Sequence, residues 1–79
     1  MITEKVKELL ASQFAVDAGS ITMETDLVQD LGADSLDLVE LITLLEEEFG
    51  IVITDETVYN YRTVAEIVEF IEQKLGAMA

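Results

Sequence analysis

Residues 34–50, DSLDLVELITLLEEEFG, carry an apolar pattern that points to a helical fold. Leu36, Val39, Ile42, Leu45 and Phe49 recur near 3.6 residues per turn, which predicts a helix from about Ser35 to Phe49 with that stripe buried. Leu38, Leu41 and Leu44 widen the apolar surface beyond what one stripe needs. Gly50 is a natural stop at its C-terminal end.

Ile2, Val6, Leu9, Leu10 and Phe14 give a first helix, with Thr3 as the expected N-cap. Ala18-Gly19-Ser20 breaks that pattern. Residues 15–33 then form a long connection with apolar anchors at Val16, Ile21, Leu27, Val28 and Leu31; connections of this length inside a small domain are often functional. After Gly50, Ile51-Val52-Ile53 has strand propensity but no second strand to pair with. It reads as an extended link that buries Ile51 or Ile53, followed by a short helical turn from about Thr54 to Tyr59. Thr63 and Glu66 form a capping box ahead of a last helix. Its buried stripe is Val64, Ile67, Val68, Ile71 and Leu75, widened by Phe70, and it is expected to stop at Gly76 with Lys74 in its last turn. The expected fold is all-α: a small bundle of three main helices plus one short helix, with a long loop between helices 1 and 2, in a single domain over 1–79.

Composition narrows the function. The chain has 79 residues, 17 acidic and 4 basic, with no His, Cys, Pro or Trp. No Cys means no disulfide, thiolate metal site or cysteine nucleophile. No His means no imidazole base and no ordinary transition-metal site, so no metal set is expected. The net charge of −13 opposes nucleic acid and anionic membranes and favours basic partners. It is uneven as well: Lys5, Lys7, Arg62 and Lys74 all sit near the ends, and positions 8–61 carry no basic residue. The residues after Met1 do not read as a signal peptide. Asp37 and Glu40 interrupt the most apolar stretch, so membrane insertion is not expected and the expected location is the cytoplasm.

The segment Leu31-Gly32-Ala33-Asp34-Ser35-Leu36-Asp37 is a tight turn feeding the second helix. Capping alone accounts for Ser or Asp at that position. The same geometry holds a hydroxyl out at a helix N-terminus, where an attached phosphate meets backbone N–H groups. Nothing near Ser35 in sequence can activate it as a nucleophile, so whatever modifies it must bring its own base.

Asp30-Leu31-Gly32-Ala33-Asp34-Ser35-Leu36-Asp37, with Val39-Glu40-Leu41 and Glu46-Glu47-Glu48-Phe49 behind it, resembles the acyl carrier proteins. The likeness spans the chain in length, helix order, long first loop, acidic second helix and the Thr63-Val64 start of the last helix. It implies that Ser35 carries 4′-phosphopantetheine, attached by a phosphopantetheinyl transferase. The thiol of that arm would hold acyl intermediates and deliver them to fatty-acid biosynthesis enzymes, with the chain itself no enzyme and a monomer.

The resemblance also implies an acidic docking face for basic patches on those enzymes, made by Asp34, Asp37, Glu40, Glu46, Glu47 and Glu48 around an apolar centre of Leu36 and Val39. Glu46–Glu48 crowd the negative end of the helix dipole with no basic residue close in sequence, which is locally unfavourable and so suggestive of function. The resemblance further places Leu27, Val28, Leu31, Leu45, Ile53, Val58, Tyr61 and Ile67 around the space that shelters an acyl chain, although each reads equally as core. Thr43, Leu44, Thr54 and Tyr61 depart from the family pattern and bear on partner choice and pocket size.

Three other readings compete. An EF-hand starting at Asp30 fails, because Ser35 and Leu41 stand where Gly and Glu are required. An acidic inhibitor that mimics nucleic acid fits the charge but leaves the Gly-Ala-Asp-Ser-Leu turn unexplained. A dedicated polyketide or aminoacyl carrier stays open, with Asp34 favouring the fatty-acid type.

Overall fold

The computed structural model describes residues 2–54 and 56–78. Three α-helices form the frame: α1 (Ile2–Phe14), α2 (Ser35–Phe49) and α3 (Val64–Met78). Two 3-10 turns punctuate the connections, Ala18–Ser20 and Glu56–Asn60. The expected all-α bundle with a long first loop is what the chain adopts, within 32 × 25 × 19 Å.

α1 packs on both α2 and α3, and α2 also meets the second 3-10 turn. Val6 and Leu10 of α1, Leu41, Ile42 and Leu45 of α2, and Val64, Ile67, Val68, Phe70 and Ile71 of α3 share one core. The α2 stripe differs from the expected one. Leu36 is 78% exposed and Val39 48%, while Leu41 is 1% exposed. Leu38, Leu41, Ile42, Leu45 and Phe49 face inward instead. Both sets obey helical spacing, and the position of α1 and α3 selects between them.

Other expectations shift at the ends of elements. Thr3 is not an N-cap, because α1 is already helical at Ile2. α1 closes with Val16 N–H donating to Ala11 O at 3.0 Å and Ala15 at φ 55°, a left-handed conformation that is unusual for a residue with a side chain. Val16 is not an anchor; it is 37% exposed. α2 ends as expected at Gly50, φ 63°, where the Gly50 and Ile51 N–H groups both donate to Glu46 O. α3 does not stop at Gly76 but runs on to Met78. A glycine weakens a helix by about 1 kcal/mol yet ends it only by turning left-handed, which Gly76 does not do.

The Ile51–Ile53 link forms no strand; Ile51 is buried and Val52 is exposed. Asp55 of the expected short turn lies outside the described residues, and the turn itself spans Glu56–Asn60.

The long loop is tied down by backbone hydrogen bonds to the start of α3. Val64 N–H donates to Thr25 O at 3.2 Å, Ala65 N–H to Met23 O at 2.9 Å, and Leu27 N–H to Arg62 O at 2.6 Å. Glu66 N–H donates to Thr63 Oγ1 at 3.3 Å. The orphan donors of α3's first turn are thereby satisfied, and the loop gains a fixed path over the bundle.

Candidate functional site

The turn that presents Ser35 starts from this clasp. Leu27 is fully buried next to it. Asp26 Oδ1 accepts from the N–H groups of Val28 and Gln29, and Asp30 Oδ2 accepts from Asp26 N–H. Gly32, at φ 72°, redirects the chain, and Ala33, 6% exposed, pins its far side to the core while donating to Leu27 O. Only then does α2 begin.

Asp34 is the N-cap. Its Oδ1 accepts from Asp37 N–H at 2.9 Å, and Asp37 Oδ2 accepts from Asp34 N–H at 3.1 Å. This reciprocal box answers the question the sequence left open: Asp34, not Ser35, caps the helix. Ser35 takes the first helical position and is exposed. Among the described residues nothing hydrogen-bonds its hydroxyl, and no acceptor takes the N–H groups of Ser35 and Leu36. From the α1 side, Gln13 Nε2 donates to Asp37 O at 2.8 Å. That link across 24 residues carries no sequence signature.

The arrangement presents a hydroxyl without activating it. With no His in the chain and both neighbouring carboxylates engaged in the cap, Ser35 has no evident base. It suits a group attached from outside. A phosphodiester there meets two open N–H groups and the positive end of α2, a favourable field of about 0.3–1 kcal/mol that Asp34 and Asp37 partly offset.

On α2, Leu36, Val39, Glu40, Thr43 and Glu47 recur at the spacing of one helix face, and all five are exposed. Asp34 and Glu48 are exposed and Asp37 is half-buried. Glu46 differs: half-buried, it accepts from Ile53 N–H at 2.8 Å and so fixes the link after α2. The Glu46–Glu48 cluster also has a cation that sequence order concealed, since Lys5 of α1 lies 3.9 Å from Glu48. Both groups are well exposed, so this ion pair contributes little.

Of the residues placed around an acyl chain, Leu27, Leu45, Val58 and Ile67 are buried in the common core, and Leu31, Ile53 and Tyr61 pack against it; Val28 is half-buried. All but Val28 are brought together in one apolar interior. A cleft of about 200 Å³ lies elsewhere, on the outer side of α3, and only Tyr61 of these residues lines it. Among the described residues no cluster of three or more Asp or Glu converges to hold a metal ion, and no helix is long and apolar enough to cross a membrane.

A turn anchored by Ala33 that presents an unencumbered serine at the start of an acidic helix defines a class, the small helical domains suited to take up a group from outside. Comparison supports the same class. The family described as "Phosphopantetheine attachment site" matches residues 4–71. The chain is 48% identical over 75 residues to an acyl carrier protein of Solidesulfovibrio magneticus, covering 95% of this chain and 96% of that one. It is 49% identical over 72 residues to an acyl carrier protein of Clostridium acetobutylicum, covering 91% and 94%. A solved structure of an acyl carrier protein from Enterococcus faecalis superposes with a TM-score of 0.77 at 32% identity, over 92% of each chain. The chain therefore belongs to the phosphopantetheine-bearing acyl carrier family. Its function is that of a carrier rather than a catalyst: acyl groups travel on phosphopantetheine. The bound arm supplies the thiol that this cysteine-free chain lacks.

Proposed function

We propose that Ser35 is the attachment point, that residues 1–79 act as one monomeric carrier domain in the cytoplasm, and that its partners are a phosphopantetheinyl transferase and fatty-acid biosynthesis enzymes. The observation that carries this reading is the exposed, unpartnered Ser35 hydroxyl at the first helical position of α2. Leu36 and Val39 supply an apolar centre beside it, ringed by Asp34, Asp37, Glu40, Glu47 and Glu48. This is the composition of a transient interface with a basic partner, fast to form and sensitive to salt. Glu46 contributes less, because its carboxylate is held by Ile53 N–H. The acyl chain shelters among Leu27, Val28, Leu31, Leu45, Ile53, Val58, Tyr61 and Ile67, which must part to admit it, since interiors of this kind are close-packed.

The test is intact mass after incubation with coenzyme A, magnesium and a broad-specificity phosphopantetheinyl transferase. The native chain gains one phosphopantetheine and Ser35→Ala gains none. An unchanged native mass with a working transferase, or a gain retained by Ser35→Ala, overturns the assignment.

A further inference from the structure

The cleft on the outer side of α3 is independent of Ser35 and of α2. Tyr61, Glu66, Glu69, Phe70 and Gln73 line it. Its wall is aromatic: Tyr61 and Phe70 meet edge to face, ring centroids 5.8 Å apart and planes at 67°. Its rim is anionic, with Glu66 and Glu69 both exposed. Glu66 is held in place, since its Oε1 accepts from the N–H groups of Arg62 and Thr63. Glu69 has no such internal task among the described residues. Phe70 already receives a cation, the Lys74 ammonium 5.6 Å from its ring centroid.

We propose that this cleft is a second docking site, for an arginine side chain presented by a protein partner. An aromatic ring attracts a cation through its quadrupole, and two carboxylates at the rim strengthen that field. A guanidinium fits better than an ammonium. It is planar and weakly hydrated, so it lies against the half-buried Tyr61 ring, with the 7% exposed Phe70 ring behind, while its edge donates to the Glu69 carboxylate and the Gln73 amide oxygen. The net charge of −13 draws such a partner in, and Lys74 is the internal cation that it displaces.

The experiment is a titration of the isotopically labelled, unmodified chain with N-acetyl-arginine amide, followed by amide chemical shifts, with N-acetyl-lysine amide alongside. Saturable shifts are expected at Tyr61, Glu69, Phe70 and Gln73, stronger for arginine. Lys74→Gln removes the competing ammonium and tightens binding by about two- to five-fold. Glu69→Gln weakens it by about three-fold and leaves the spectrum of the folded chain otherwise intact. Shifts confined to α2, equal response to lysine, or indifference to both substitutions overturn the proposal. Because the chain is unmodified, none of these outcomes depends on Ser35.

Discussion

Two carboxylates at helix starts do different work. Asp34 sits before its helix and leaves the next residue free; Glu66 sits inside its helix and reaches back. The Glu66 pKa is lowered from 4.5, first because its carboxylate accepts from Arg62 N–H and then from Thr63 N–H. Those bonds favour the charged form. A group whose pKa falls on folding adds stability above its unfolded value and loses it as pH drops through the folded value. The native chain should therefore be more stable than Glu66→Gln at pH 7, by less than about 1 kcal/mol because the site is exposed. The gap should close as pH falls below 4.5. Urea unfolding of both proteins at the two ends of that range checks this. A gap independent of pH would mean that the carboxylate's charge contributes nothing, and no gap at either pH that Gln replaces it as an acceptor.

Among the elements, the long loop matters most, because it carries the serine. It is held by Thr25, whose carbonyl caps Val64 and whose Oγ1 accepts from Thr22 N–H at 2.8 Å while only 9% exposed. Thr25→Val keeps the shape and leaves that N–H unpaired, at a cost of about 1–3 kcal/mol. For a chain of this size each kcal/mol lowers Tm by roughly 4–8 °C. A thermal melt by circular dichroism reads the loss directly, and an unchanged Tm would show that water replaces the hydroxyl.

None of this clasp was legible from spacing, since it is made mainly by backbone groups brought together by the fold. The helices were legible, because periodicity and capping are local: Gly50, Thr63 and Glu66 stand where the sequence places them. The inward face of α2 was not. With apolar residues at 36, 38, 39, 41, 42, 44, 45 and 49, two overlapping stripes satisfy the same period, and only packing chooses Leu41 over Leu36. Likewise Ser35 was readable as lying at the helix start, but that Asp34 takes the cap and frees the hydroxyl depends on geometry.

Over the whole molecule, electrostatics sets the balance. A net charge of −13 is confined within 32 × 25 × 19 Å, and the exposed Lys5–Glu48 attraction is worth less than about 1 kcal/mol. Screening lengths are about 30 Å at 0.01 M salt and about 8 Å at 0.15 M. At the lower value every carboxylate senses nearly every other; at the higher, repulsion reaches only neighbours. Added sodium chloride should therefore raise Tm by several degrees between those concentrations, with most of the rise complete at the upper one. Lys5→Ala separates the two contributions. Losing this ion pair and one positive charge should lower Tm most at low salt, so its Tm should climb at least as steeply as that of the native chain. A Tm that stays flat or falls with salt would mean that local attractions outweigh the collective repulsion, and the acidic surface would then carry no folding penalty for a basic partner to relieve.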